Sequence, residues 1–284
     1  MFINNPRLRL IIGIIGISLT AACNVFPVWP PNFFEEPPTD PGEFGFREYR
    51  VDVPDGADGQ PAGITMFVPE QAEEPVPALL WVLGSNVQAY YHQSLHEILA
   101  SWGYAVIIPD GRPLTFTDFN YHRRNVDLAK QAFDLAVDGE LGIEIDPERI
   151  AVGGYSIGGT MATFLAAEEP RAAAIVMWAP TRAPFWTGVE PDPLFAAVTQ
   201  PSYFLLGEFD NIEPPDGFPR EMQTKMEDSE STEYIIPEGL HLYFQQVTAA
   251  DSITDPLSSI TRFEQQGIAI ERTLSYLNEQ LAAE

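Results

Sequence analysis

Three residues of this chain have types and settings suited to nucleophilic chemistry: Ser156, Asp210 and His241. A serine hydroxyl is a weak nucleophile, so it needs a base to take its proton and a carboxylate to orient that base. Ser156 stands in Gly154-Tyr155-Ser156-Ile157-Gly158, with Gly159 next, between the apolar run Ile150–Val152 and the Ala-, Leu- and Met-rich Thr160–Ala167. A strand that turns sharply into a helix lifts the middle side chain out of the sheet, and the strained backbone calls for glycine on either side. The hydroxyl is then expected at a helix N-terminus, where developing negative charge is favoured. A phosphate-cradling loop is the other Gly-rich option. It lacks the G-x-G-x-x-G spacing, and no Lys-Ser/Thr pair follows.

Asp210 lies in Gly207-Glu208-Phe209-Asp210-Asn211, directly after the apolar run YFLL. His241 closes Pro237-Glu238-Gly239-Leu240-His241, after Tyr234–Ile236. Glu208 and Glu213 are rival carboxylates, but Asp210 sits best in the G-x-x-D turn, although an Asp there can also be a plain turn former. His92, His96 and His122 are rival bases. All precede Ser156 in helical or pre-helical segments and read as surface or packing residues. An acyl-transfer site also needs two backbone N–H groups for the oxyanion. Ile157, after the nucleophile, is one expected donor, and Ser85 in Gly84-Ser85-Asn86 is the other.

These positions need strands to carry them. Ala78–Leu83 and Tyr104–Pro109 are continuous apolar runs, as strands buried on both faces should be. Phe46–Val53 and Ile64–Val68 read as a leading antiparallel pair, and Ala173–Trp178, Tyr203–Leu206 and Tyr234–Ile236 as further strands. Tyr90–Ser101, Asp118–Val137 and Ile260–Leu281 carry helical spacing between them. Such alternation predicts an α/β fold with a mainly parallel sheet, helices on both faces and the site at the carboxyl ends of the strands.

The first residues read differently. In 1–22, Arg7 and Arg9 precede the apolar Leu10–Leu19, and Thr20-Ala21-Ala22 leads into Cys23, the only cysteine. That is the pattern of a secretory signal peptide. It resembles a bacterial lipoprotein signal, which implies lipidation at Cys23 and an exported, envelope-anchored protein. Residues 23–44 are proline-rich and are expected to form an extended tether, leaving 45–284 as one catalytic domain. One cysteine excludes an internal disulfide. The net charge of −26 opposes nucleic acid and anionic lipid head groups as partners.

From Pro77 to about Phe244 the chain resembles the dienelactone-hydrolase and cutinase-like branch of the α/β-hydrolases, which includes bacterial polyester hydrolases. The shared stretches are PALLWVLG, SWGYAVIIPD, GGYSIGG, AIVMWAP, GEFD and GLH, with Ser, Asp and His in the order of that fold. The resemblance implies ester hydrolysis through an acyl-enzyme without cofactor, and a monomer without a metal site is expected. It carries Ser156, Asp210 and His241 over as the triad and Ser85 and Ile157 as oxyanion donors. The chain departs from polyester hydrolases at Ser85, Ile157 and Thr181, where an aromatic, a Met and often a Trp are usual. Between Ala179 and Gln200, Pro180, Pro184, Pro191 and Pro193 break any long helical lid, so the site is expected to stay open. Tyr90, Tyr91, Phe185, Trp186 and Phe209 are the candidate substrate contacts, and short to medium acyl or polyester-like substrates the expected ones. The alternatives are a serine peptidase or amidase of the same fold, and a lipoprotein that keeps the fold but only binds a ligand.

Overall fold

The structure, a computed structural model, describes residues 37–53, 62–73, 75–85, 87–110, 121–182, 190–246 and 258–282. The apolar runs form one eight-stranded sheet in the order β1-β2-β4-β3-β5-β6-β7-β8. The strands are β1 (Phe46–Val53), β2 (Ala62–Pro69), β3 (Val76–Val82), β4 (Ala105–Asp110), β5 (Ile145–Tyr155), β6 (Ala174–Trp178), β7 (Ser202–Gly207) and β8 (Ser231–Ile236). β2 pairs antiparallel with both β1 and β4, and every pairing from β4 through β3 to β8 is parallel. The fold is that of an α/β-hydrolase.

Helices cover both faces, because strands apolar on both sides must bury both. On one face α1 (Gln93–Ser101) and α6 (Arg262–Gln280) pack over Leu79, Trp81, Val106, Val176 and Leu205. On the other, α2 (Tyr121–Val137), α3 (Ile157–Glu168), α4 (Pro191–Ala196) and α5 (Phe218–Lys225) pack over Leu80, Ile107, Val152, Ile175 and Phe204. The connection from β3 to β4 uses the first face and that from β4 to β5 the second. The sheet order therefore reverses at β3 and opens a crevice between the carboxyl ends of β3 and β5. Ser85 follows one of those ends and Ser156 the other.

Several elements differ from expectation. Tyr90–Ser101, expected as one helix, is a 3-10 turn over Ala89–His92 followed by α1, broken at His92, whose φ and ψ of −121° and 27° are not helical. The imidazole of His92 turns instead to accept a hydrogen bond from Trp81 Nε1 at 3.3 Å. α5 begins with Pro219 in its first turn, where the missing N–H costs nothing. α4 is a six-residue helix with Pro191 in its first turn.

Residues 37–44, the last part of the expected tether, lie against α6 and α1. Thr39 Oγ1 donates to Glu271, Trp102 Nε1 to the Asp40 carbonyl, Gly42 N to Ser101 Oγ and Phe44 N to the Ser101 carbonyl, at 2.9–3.2 Å. The signal segment and Cys23 lie outside the described residues. Among the described residues, no helix is long and apolar enough to cross a membrane.

Candidate active site

β5 ends at Tyr155 and α3 begins at Ile157, so Ser156 alone makes the turn between them. Its φ of 56° and ψ of −129° lie in a region that a residue with a Cβ rarely adopts. Two glycines make the turn possible. A Cβ on Gly154 would come within 2.5 Å of the Gly158 backbone, and one on Gly158 within 2.2 Å of the Val82 carbonyl oxygen. The same close approach lays the end of β3, and Ser85 beyond it, against the elbow. Gly84 continues this contact, since its Cβ would meet the Tyr155 carbonyl oxygen at 3.0 Å.

β7 and β8 deliver the other two groups. His241 opens a 3-10 turn (His241–Phe244) after β8, and Asp210 sits in the turn after β7. His241 Nε2 lies 3.1 Å from Ser156 Oγ, and its Nδ1 lies 2.7 Å from Asp210 Oδ2. Asp210 and His241 are both buried, at 3% and 4% exposure, while Ser156 is half-buried and reachable. A carboxylate only accepts, so Nδ1 carries the proton and Nε2 presents its lone pair to the serine. The other Asp210 oxygen accepts from the backbone N–H groups of Ile212 and Glu213, both at 2.9 Å, which fixes the carboxylate plane.

The rival groups are committed elsewhere. Glu208 accepts the Glu238 N–H at 2.9 Å. Glu213 accepts from Phe218 N and from Arg182 N, tying the loop after β6 to the turn that holds Asp210. His92, His96 and His122 are all buried, which makes them packing rather than surface residues. The His92 ring lies against Trp81, Trp178 and Tyr155. Burial lowers its pKa to about 3 and holds His96, beside it, well below the usual imidazole range.

Ile157 is the first residue of α3, and Ser85 lies in the turn closed by Val87 N donating to the Gly84 carbonyl at 3.2 Å. Of the aromatics, Tyr90 and Tyr91 pack edge-on at 4.6 Å in the 3-10 turn before α1. The Tyr91 carbonyl accepts from Gln246 N just after the His241 turn. Phe209, beside Asp210, is 36% exposed. Phe185 and Trp186 lie outside the described residues. Among the described residues there is no cluster of three or more His, Cys, Asp or Glu able to hold a metal.

The model of the dienelactone hydrolase family matches residues 66–237, more than half of the chain. The chain belongs to the dienelactone hydrolase family. That family match spans the elbow and the Asp210 turn and stops four residues short of His241. Solved structures share the fold. A putative dienelactone hydrolase from Klebsiella pneumoniae subsp. pneumoniae MGH 78578 aligns over 82% of this chain and 99% of its own, with a TM-score of 0.60 and 17% identity. A dienelactone hydrolase-like promiscuous phosphotriesterase from metagenomic libraries aligns over 84% and 100%, with a TM-score of 0.65 and 16% identity. No curated protein matches the sequence significantly.

The site of this dienelactone hydrolase family member also contains groups that the sequence patterns missed. Thr181 Oγ1 lies 3.2 Å from Ser156 Oγ. Tyr155 Oη donates to the His241 carbonyl at 3.1 Å. Gln265, fully buried in α6, binds the Leu240 backbone. A readable signal existed for the last of these. Gln265 falls on the i, i+4 row of Ala269 and Thr273, so a polar side chain occupies a helix row turned to the core.

Proposed function

We propose that this member of the family is a serine hydrolase that cleaves carboxylic esters through an acyl-enzyme. The observation that carries the reading is the hydrogen-bonded line Ser156 Oγ, His241 Nε2, His241 Nδ1, Asp210 Oδ2, with steps of 3.1 and 2.7 Å. In the first step Oγ bonds to the ester carbonyl carbon, its proton passes to Nε2, and the carbonyl π pair moves onto oxygen. The N–H groups of Ile157 and Ser85 receive that oxyanion. Collapse breaks the bond to the leaving alkoxide, which takes the proton from Nε2. Water then repeats the cycle on the acyl-enzyme and restores Ser156. Asp210 keeps the Nδ1–H tautomer and stabilises the imidazolium without taking its proton.

The substrate reading rests on the proline-broken connection Ala179–Gln200, which supplies no long helical lid. Tyr90, Tyr91 and Phe209, with Phe185 and Trp186 from that connection, would line the rim of an open cleft. Each acyl methylene left in water forgoes about 0.8 kcal/mol, so short to medium acyl chains are preferred, and polyester chain ends are admitted at the edge. The lipoprotein-like signal supports a location at the cell envelope, with the chain held through Cys23. Metabolic labelling with a palmitate analogue should mark the wild type and spare Cys23→Ser.

The deciding experiment is fluorophosphonate labelling of wild type and Ser156→Ala, with turnover on p-nitrophenyl acetate to palmitate, aminoacyl amides and a phosphotriester. Labelling at Ser156 with fastest turnover of short esters supports the reading. Faster amide or phosphotriester turnover would reassign the substrate class. A folded, unlabelled wild type would point to a ligand-binding protein instead.

A further inference from the structure

Thr181 follows the sharp turn after β6, where Ala179 takes a φ of 44°. Three contacts hold it over the elbow. Its N–H donates to the Ser156 carbonyl at 3.3 Å, its carbonyl accepts from Thr160 Oγ1 at 2.9 Å, and its hydroxyl lies 3.2 Å from Ser156 Oγ. The direction of the last bond follows from counting protons. His241 Nδ1 keeps its proton toward Asp210, so Nε2 accepts, and the single proton of Ser156 goes to Nε2. Oγ then has only lone pairs left for Thr181, and the threonine hydroxyl must be the donor.

We propose that Thr181 is a positioning residue for the nucleophile. By occupying one lone pair of Oγ it fixes the serine rotamer in which the proton faces His241. The same O–H also faces the charge that grows on Oγ as its proton leaves. When the acyl-enzyme breaks down, Oγ is the departing atom and regains the bond. Thr181 thus serves both half-reactions through Ser156.

This inference rests on Ser156 being the nucleophile, and the test keeps the two apart. Thr181→Val keeps the shape and removes the hydroxyl, while Thr181→Ser keeps the hydroxyl. Thermal melting of both variants first establishes that each is folded. Thr181→Val should lower kcat on p-nitrophenyl acetate and the rate of fluorophosphonate labelling by about tenfold, the worth of one hydrogen bond to a reacting atom. KM should stay within about twofold, and the acid limb of kcat/KM should not move. Thr181→Ser should recover most of the loss. Wild-type rates in Thr181→Val, a shifted acid limb, or failure of Thr181→Ser to recover would each overturn the assignment, the last two by making Thr181 a packing residue. If the wild type itself is not labelled, the nucleophile reading falls instead.

Discussion

The side-chain amide of Gln265 spans the peptide group of Leu240, accepting from its N–H at 2.9 Å and donating to its carbonyl at 2.8 Å. Leu240 is the residue before His241, so a helix from the far end of the chain sets the angle at which the imidazole enters the site. α6 is fixed in turn by a capping box, in which Thr261 and Glu264 satisfy each other's backbone N–H. Gln266 adds a bond to the Tyr243 carbonyl at 3.0 Å. The His241 turn is thereby gripped on both sides.

Gln265→Leu removes that grip and leaves the buried Leu240 N–H unpaired, at a cost of about 1–3 kcal/mol, while the Leu240 carbonyl keeps its bond from Tyr243 N. The melting temperature should fall, and kcat should drop by about tenfold as His241 loses its fixed approach to Ser156. Steady-state kinetics and thermal melting check both. A drop in stability with unchanged kcat would leave Gln265 a purely structural residue.

Asp210→Asn should cost on the order of 10⁴ in kcat, because the amide reverses the tautomer that Asp210 enforces. Glu213→Gln should cost less than about tenfold in kcat, since among the described residues the Glu213 carboxylate binds backbone N–H groups of the neighbouring loops rather than His241. Its stability should nevertheless fall by about 1 kcal/mol, as two charge-assisted bonds weaken. Kinetics and urea unfolding of the two variants separate the roles, and the reverse ranking in kcat would mean that the orienting carboxylate is Glu213.

The glycines after Ser156 should differ from one another. An added Cβ at Gly158 meets the Val82 and Leu83 carbonyl oxygens at 2.2 and 2.6 Å, both backbone atoms that lead to Ser85. At Gly159 the closest contact is 3.1 Å and the next two are side-chain atoms at 3.4 Å. Gly158→Ala should therefore push the Ser85 loop aside and lower kcat on the order of 10² or more, and Gly159→Ala much less. Equal losses in the two variants would show that the loop does not depend on that approach.

Acid should destabilise the fold through His92 and His96. Above pH 6.5 both imidazoles are neutral in the folded and unfolded chain and contribute no pH dependence. Below it the unfolded chain takes up protons that the buried rings refuse, since burial lowers His92 to about 3 and His96 also moves down. Stability should fall by about 1.4 kcal/mol per pH unit for each ring that stays neutral, towards pH 3 in the case of His92. Neither nitrogen of His96 has a hydrogen-bond partner among the described residues. His96→Leu should thus flatten the acid limb in urea unfolding between pH 7 and 4 without loss at neutral pH. An unchanged slope would place the acid sensitivity in other groups.

The sheet was legible because its central strands are buried on both faces, so Ala78–Leu83 and Tyr104–Pro109 could only be unbroken apolar runs. The elbow was legible because glycine is demanded on both sides of Ser156 by contacts as close as 2.2 Å. What escaped has no local signature. The break at His92 comes from a bond to Trp81, a residue of β3, and α5 hides behind a proline that reads as a breaker unless it stands in the first turn. Thr181 and Gln265 gain their places only when β6 and α6 are brought beside β5 and β8. In sequence, Thr181 reads only as a missing aromatic.

The segment 37–44 bears on how the molecule would carry a load. It is fastened by separate single bonds to Glu271, Trp102 Nε1, Ser101 Oγ and the Ser101 carbonyl, on α6 and at the end of α1. β1 behind it is held by a register of eight paired residues along β2. Tension applied at Pro37 would peel the segment one fastening at a time, and only then reach a ladder that resists as a whole. Ser156, at the end of β5 in the middle of the sheet, sits behind both barriers, so such a pull would meet them before it reached the elbow.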